Sequence, residues 1–449
     1  MGGHVFSVGG DPLWTPRMPP QVYRFMKEHC HRILGNLYDQ VGTPIEGPEK
    51  RSFGDIDILV AGAKQLQPDG SPPSRLELDR DIKTIAESLE AHRVIHNTGE
   101  GRGSAHLALH WPDSMTDVPE GEDEAHFLSS LANRTVYIQV DIRICDSPEQ
   151  QSWRLFKHAH GDIWNMLGST IRPLGLTADE TALFIRIPEV EKFNRRRAKI
   201  FLTADPHAVL EFLGLSVERF EKPFETLDEM NEYVAQSRMF WIKPASKDGS
   251  DSDEAARAGN QGADDNKAKL KSNDRRRMNQ RLAFRKWIDE FIPSCREQGR
   301  FLDQTLTREA VQEEALDRFG AREQFEKDRA AFVCEKQLDV VRAAIKDAIP
   351  LEPGQATKHM SKTKYQTYRG VVIKAFRTMI LLDDQEAWEK YHVEHISFKD
   401  DKGFWDLDRV TSFIRDNMDK VGGIAMAESL DRFQEHRERI AASASDQEK

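Results

Sequence analysis

The sequence predicts an α+β protein: a mixed twisted sheet flanked by helices, followed by an α-helical domain. Three observations predict it. Short β-branched runs, Ile56–Val60 and Val136–Cys145, alternate with amphipathic helical segments in the first half. Residues 244–272 then lose almost every large apolar residue. Beyond them the apolar spacing is helical throughout.

Taken in order, Pro20 to Gln40 reads as a helix with an apolar stripe of Val22, Phe25, Met26, Ile33, Leu34 and Leu37. A loop rich in glycine and proline follows, from Gly42 to Gly54, leading into Asp55-Ile56-Asp57-Ile58-Leu59-Val60, a strand. Residues 75–92 form an amphipathic helix on Leu76, Leu78, Ile82, Ile85, Ala86 and Leu89. Ser104 to Trp111 alternates as a strand, Pro112 to Glu124 is an acidic loop, and Val136 to Cys145 is a strand expected to form a long hairpin with Ser104–Trp111. Pro148–Lys157 and Asp162–Leu167 are short helices, Leu183–Ile187 and Lys199–Thr203 strands, and Asp205-Pro206 opens a helix that Gly214 ends.

Residues 1–243 are thus read as one catalytic region with its core at about 20–215, and 244–272 as a disordered linker that cannot bury enough surface to offset chain entropy. Residues 273–436 are read as a helical domain and 437–449 as a disordered tail. The helical domain carries Arg275 to Cys295, Thr307–Phe319, Ala321–Ala348, Lys362–Asp383 and Trp405–Met418.

The 449-residue chain has a net charge of −11, which argues against a basic surface over the whole molecule. No apolar run approaches the length of a membrane span. Met1-Gly2-Gly3-His4 lacks a signal peptide's apolar core, and the four cysteines are scattered without a Cys-x-x-Cys pair. An intracellular protein, cytoplasmic or nuclear, with reduced thiols is expected.

The chemistry concentrates at Asp55 and Asp57. Residues two apart in a strand share a face, so these carboxylates point the same way and repel. Asp141 is the acid of the Val136–Cys145 strand; if the strands are neighbours, three carboxylates meet on one sheet face. A divalent cation offsets that repulsion, and all-oxygen ligation suits magnesium or manganese. Two such ions serve phosphoryl transfer by clamping the attacking and leaving oxygens. In the loop, Gly42, Gly47 and Gly54 let backbone amides approach an anion, Thr43 and Ser52 add hydroxyls, and Lys50 and Arg51 add positive charge.

This arrangement resembles the nucleotidyltransferase superfamily typified by DNA polymerase beta, the family X polymerases. Gly42-Thr43 stands where those proteins carry Gly-Ser, Gly54-Asp55-Ile56-Asp57 matches Gly-Asp-x-Asp, and Asp141-Ile142-Arg143 matches the third carboxylate. His160-Gly161-Asp162-Ile163-Trp164-Asn165 is similar to the segment that packs on the incoming nucleotide. The likeness covers roughly residues 20–215. It implies a nucleotidyltransferase-like sheet with two Mg2+ (or Mn2+) ions on Asp55, Asp57 and Asp141. It implies triphosphate contacts along Gly42–Gly54 and nucleotide contacts from Gly161, Asp162 and Asn165. Asp141 is expected to help deprotonate the acceptor, and Arg143 to pair with Asp57.

The chain departs from the family at Glu46, where an arginine is usual, and at Ser169, where a template-probing arginine is usual. Simple nucleotide transfer is therefore expected ahead of templated synthesis. The expected partners are a nucleoside triphosphate and an acceptor hydroxyl, a nucleic-acid end first among them, with no membrane. The alternatives are a noncatalytic nucleotide-binding or interaction protein and a transferase that modifies a protein. Arg195-Arg196-Arg197 reads as a charged turn before a strand, with a triphosphate or acceptor contact as the alternative, and the basic cluster from Lys267 to Lys286 as a nucleic-acid contact, a nuclear-import signal or a solvated face. The histidines are assigned to packing or polar contacts, with substrate binding by His160 as the alternative.

Overall fold

The computed structural model describes residues 3–64, 75–97, 103–243, 281–303, 306–400 and 404–447. The expected linker and the Arg275–Arg277 cluster lie outside the described residues. The chain divides into two compact units, Met1–Phe325 and Glu326–Lys449.

After a 3-10 turn at Val5–Ser7, the first unit runs through helix α1 (Pro20–Leu34), strand β1 (Tyr38–Gly42) and strand β2 (Asp55–Ala63). Helix α2 (Arg75–Ser88), strands β3 (Arg93–His96) and β4 (Ser104–His110), helix α3 (Glu124–Ala132) and strand β5 (Tyr137–Ile144) follow. The strands form one sheet in the order β1-β2-β5-β4-β3. The β2–β5 pair is parallel and the other pairs are antiparallel. The β4–β5 hairpin expected from the sequence is present, with α3 inside its connection.

Alternation decides the two faces of this sheet. Ile56, Ile58 and Val60 of β2, Ile138, Val140 and Ile142 of β5, and Ala105, Leu107 and Leu109 of β4 are buried. They form one core with Val22, Met26, Cys30 and Leu34 of α1 and Ile82, Ile85 and Leu89 of α2. Burying each of the larger side chains contributes about 1.5–3 kcal/mol. The intervening residues Asp55, Asp57, Gln139, Asp141 and His106 take the other face.

Some boundaries differ from the sequence reading. The first helix stops at Leu34, where Gly35 caps His31 and Ile33, and the rest of the expected helix becomes β1. The acidic loop ends in α3, started by the Asp123 side chain accepting from the His126 N–H.

Helices α4 (Pro148–His158) and α5 (Ile163–Ile171) lead to a second, antiparallel sheet of β6 (Leu176–Ala178), β7 (Leu183–Arg186) and β8 (Lys199–Thr203). Helix α6 (Pro188–Glu191) lies between β7 and β8, and α7 (Pro206–Leu213), α8 (Val217–Phe220) and α9 (Leu227–Ala235) follow. Arg186 is buried here. It donates to the carbonyls of Leu176 (2.8 Å) and Arg172 (2.5 Å), to the Thr177 hydroxyl, and to Glu191 (2.9 Å), which also takes Arg308 at 2.7 Å. The triple arginine is a turn, as read: the Asn194 side chain accepts from the backbone N–H groups of Arg196 and Arg197.

The expected helical domain does not begin where the composition changes. Helical Leu282–Lys286, a π-helical turn Trp287–Phe291 and Ile292–Glu297 belong to the first unit, with Phe284, Trp287 and Ile292 buried. Arg300 pairs with Glu232 of α9 (2.6 Å), and the Phe301 carbonyl accepts from the Ile242 N–H at 2.6 Å. These partners lie before residue 244, so contacts across the break decide the boundary.

The second unit packs Val341 and Ile345 against the helix Lys362–Leu382, through Tyr368, Val372, Phe376 and Met379, and against the helix Leu407–Gln447, through Val410, Ile414 and Val421. That last helix continues through most of the expected tail. Its alanines, glutamates and arginines carry helix propensity that the low apolar content concealed. Among the described residues no helix is long and apolar enough to cross a membrane.

Candidate active site

The parallel register of β2 and β5 sets Asp57 directly opposite Asp141 and Asp55 opposite Gln139. Three carboxylates therefore share one face at the start of β2, on the sheet side away from α1 and α2. Asp57 is exposed and Asp55 and Asp141 are half-buried.

Their electrostatics follow from crowding. The Asp57 carboxyl is pushed up to about 7, first by desolvation among the surrounding protein atoms and then by Asp55 and Asp141. Asp55 is raised by burial and by Asp141, with Lys50 opposing. Asp141 is anchored from two sides: its Oδ1 faces His106 Nδ1 at 2.7 Å and accepts from Gln139 Nε2 at 2.9 Å. The other His106 nitrogen lies 3.1 Å from Asn97 Oδ1, and the Asn97 amide donates to Ser104 at 3.0 Å. The Asp141 hydrogen bond, ahead of the opposing burial, holds the His106 imidazole above its ordinary value.

Sequence reasoning missed this histidine. Its partnership depends on the antiparallel register His106↔Asp141, which a single strand does not reveal. The alternation of Ser104, His106 and Ala108 with apolar neighbours was the available signal.

The chain before α1 was also missed. Gly3 gives its backbone N–H to the Asp55 carboxylate, and the Val5 N–H donates to Gln139 Oε1 at 3.3 Å. Phe6 is buried with Leu13, Ala108 and Tyr137 over β4 and β5.

The Gly42–Gly54 loop is tied down along its length. Gly42 ends β1 opposite Leu59, and a Cβ there would lie 2.6 Å from Leu155 of α4. Thr43 Oγ1 lies 2.8 Å from His31 Nε2. Glu46 accepts from Tyr23 and pairs with Lys50 at 2.5 Å, so the departure at Glu46 is matched by a cation from the same loop. Arg17 donates to Ser52 through Oγ (2.9 Å) and the carbonyl (2.8 Å). Arg51 is exposed, and Gly54 is buried against Gly3.

The expected nucleotide segment meets this loop. The His160 N–H donates to the Ile45 carbonyl at 2.6 Å, and Gly47 packs on His160 and Gly161. The His160 ring is buried, its Nε2 is 2.7 Å from the Phe220 carbonyl, and burial lowers its pKa, so it is a packing histidine. Asp162 precedes α5 and receives both Asn165 Nδ2 (3.1 Å) and Arg281 Nη1 (2.9 Å).

Arg143 differs from expectation. It shares the face of Asp141, yet among the described residues it makes no ion pair with Asp57. It is half-buried, and its pKa is lowered by burial and by Arg154. It stands opposite Leu59, one pleat further along the sheet than the acids, which puts it beyond Asp57.

The donor set fits a hard dication: carboxylate oxygens on one face, two of them raised by burial and then by their neighbours' charge, both of which a cation offsets. Among the described residues no three His, Cys, Asp or Glu side chains are gathered as a ready-made metal cluster.

No protein-family model matches this chain, and no curated protein sequence matches it. Its structure is similar to two complexes of Leishmania infantum polymerase beta, a ternary P/T complex and a ternary gap complex. Each is 14% identical with a TM-score of 0.32, over 46% of this chain and 77% and 70% of those chains. A likeness so slight carries no argument about the chemistry.

Proposed function

We propose that this protein is a metal-dependent nucleotidyltransferase that moves a nucleoside monophosphate from a nucleoside triphosphate to an acceptor hydroxyl. The observation that carries the reading is the β2–β5 register, with Asp57 opposite Asp141 and Asp55 two residues earlier on the same face. Asp55, Asp57 and Asp141 would hold two Mg2+ or Mn2+ ions. Bound there, the ions neutralise phosphate charge and acidify the acceptor hydroxyl.

The chain's own residues supply the rest. Asp141, held by His106 and Gln139, accepts the hydroxyl proton. The acceptor oxygen bonds to the α-phosphorus, the α–β anhydride bond breaks, and pyrophosphate leaves. Lys50, Arg51, Thr43, Ser52 and the amides from Gly42 to Gly54 would supply the triphosphate contacts. Gly161, Asp162, Asn165 and Arg281 bound the nucleotide. A nucleic-acid end is the leading acceptor.

A second reading draws on the absence, among the described residues, of a gathered metal cluster. It makes the protein a noncatalytic nucleotide-binding or interaction protein. Labelled nucleoside triphosphates, offered one at a time with RNA, DNA or protein acceptors, separate the two. The first reading expects Mn2+-dependent incorporation that Asp57→Asn abolishes. Incorporation that survives Asp57→Asn in folded protein contradicts it. Binding of a nonhydrolysable triphosphate without any incorporation favours the second.

A further inference from the structure

The segment before α1 doubles back across the acid-bearing face and touches Gln139, Gly54 and the Ser52–Phe53 end of the loop. At its start, Gly3 donates its N–H to Asp55 and Val5 donates to Gln139, which in turn holds Asp141. The fully buried Phe6 pins this arm to the sheet, and the Leu13 N–H returns to the Phe6 carbonyl at 2.8 Å. On the way back, the Thr15 hydroxyl donates to the Gly3 carbonyl at 2.9 Å, and Met18 bridges Phe53. Arg17 clamps Ser52 of the loop.

Gly3 is suited to this place by what it lacks. It has φ of +83°, and a Cβ there would come within 2.2 Å of the Gly54 carbonyl oxygen. A side chain would therefore push the arm off the residue that precedes Asp55. Gln139 is 1% exposed and spends its amide on the arm and on Asp141, so it links the two.

From this geometry we infer that residues 3–18 are a positioning strap, which sets Asp55 directly and Asp141 through Gln139 in the orientation that receives the divalent ions. The inference rests on the transferase reading for its metal, and it adds Gly3 and Gln139 as positioning residues. The strap stabilises the three-acid arrangement against its own repulsion before an ion arrives, by filling one lone pair of Asp55 and one of Asp141 with neutral donors.

The test measures Mn2+ affinity of the full chain by electron paramagnetic resonance, with single-nucleotide transfer and the thermal midpoint followed in parallel. Gly3→Ala and Gln139→Met are compared with Val8→Ser, a change at the exposed turn of the strap. Gln139→Met keeps side-chain length and removes both hydrogen bonds, so it stands if Gly3→Ala proves unstable. The expected result is a tenfold or greater rise in the Mn2+ dissociation constant for both variants. The rate constant for transfer falls with it, while the nucleoside triphosphate KM and the thermal midpoint stay near wild type. Val8→Ser behaves as wild type.

Wild-type Mn2+ affinity in folded Gly3→Ala and Gln139→Met overturns the strap's role. Asp57→Asn, run alongside, separates the two claims. If Asp57→Asn eliminates Mn2+ binding and the strap variants leave it unchanged, the strap inference alone falls. If the strap variants weaken Mn2+ binding and no variant or wild type transfers nucleotide, the strap stands and the transferase reading falls.

Discussion

Asp57→Asn should stabilise the metal-free protein above neutral pH. In the native state the Asp57 carboxyl titrates near 7, against an ordinary value of 3.8. Between those values the native state holds a proton that the unfolded state has released, so native stability falls as pH rises from 4 to 7. In a site sealed from water this rise would correspond to about 4 kcal/mol. Asp57 is exposed, and solvent screening reduces the penalty to about 1–2 kcal/mol. Asparagine keeps the shape without the charge and escapes the penalty. Because the chain has two units, hydrogen exchange of the β5 amides in EDTA is the suitable assay, since it reads the unit that holds the acids. Asp57→Asn should slow that exchange about 5- to 30-fold at pH 8, and the gain should shrink toward zero at pH 4. No gain at pH 8, or an equal gain at both pH values, refutes the claim that burial and the neighbouring carboxylates penalise the Asp57 charge.

Three further outcomes follow from the same contacts. His106→Phe removes one of the two donors on Asp141 and should lower Mn2+-dependent transfer about tenfold, with β5 exchange unchanged; steady-state kinetics checks this. Arg281→Ala frees Asp162 and should raise the nucleoside triphosphate KM several-fold at unchanged Mn2+ affinity, read by titrating nucleotide in the transfer assay. Glu191→Leu strands the buried Arg186 and should cost about 3 kcal/mol in a urea melt followed by exchange at β7. Burial alone would raise the Glu191 pKa, but Arg186 and Arg308 outweigh it and hold it low. The wild-type advantage over Glu191→Leu is therefore present above the ordinary carboxylate range and lost as pH falls.

The acids were legible because their signal is local. Two aspartates in i, i+2 register inside an apolar run declare a shared face, and Asp141 lies in a run whose β-branched residues declare a strand. The helix-to-strand switch at Gly35 was hidden because Leu37 and Val41 continue the apolar spacing of α1. His106, Gln139 and the strap were hidden for another reason: each acts across a register or a chain reversal, and no spacing along the sequence encodes which residue ends opposite Asp141. The boundary at Phe325 was hidden similarly, since the pairs Arg300–Glu232 and Arg308–Glu191 that bind residues 281–325 to the first unit span 68 and 117 positions.

The three carboxylates on β2 and β5 are proposed to form a two-ion site that receives a nucleoside triphosphate. Counting bound Mn2+ by electron paramagnetic resonance in the presence of a nonhydrolysable nucleoside triphosphate tests it most directly. Two ions per wild-type chain are expected, with loss of at least one in Asp141→Asn. A wild-type chain that binds no Mn2+ with the nucleotide, or an Asp141→Asn chain that still binds two, would contradict it.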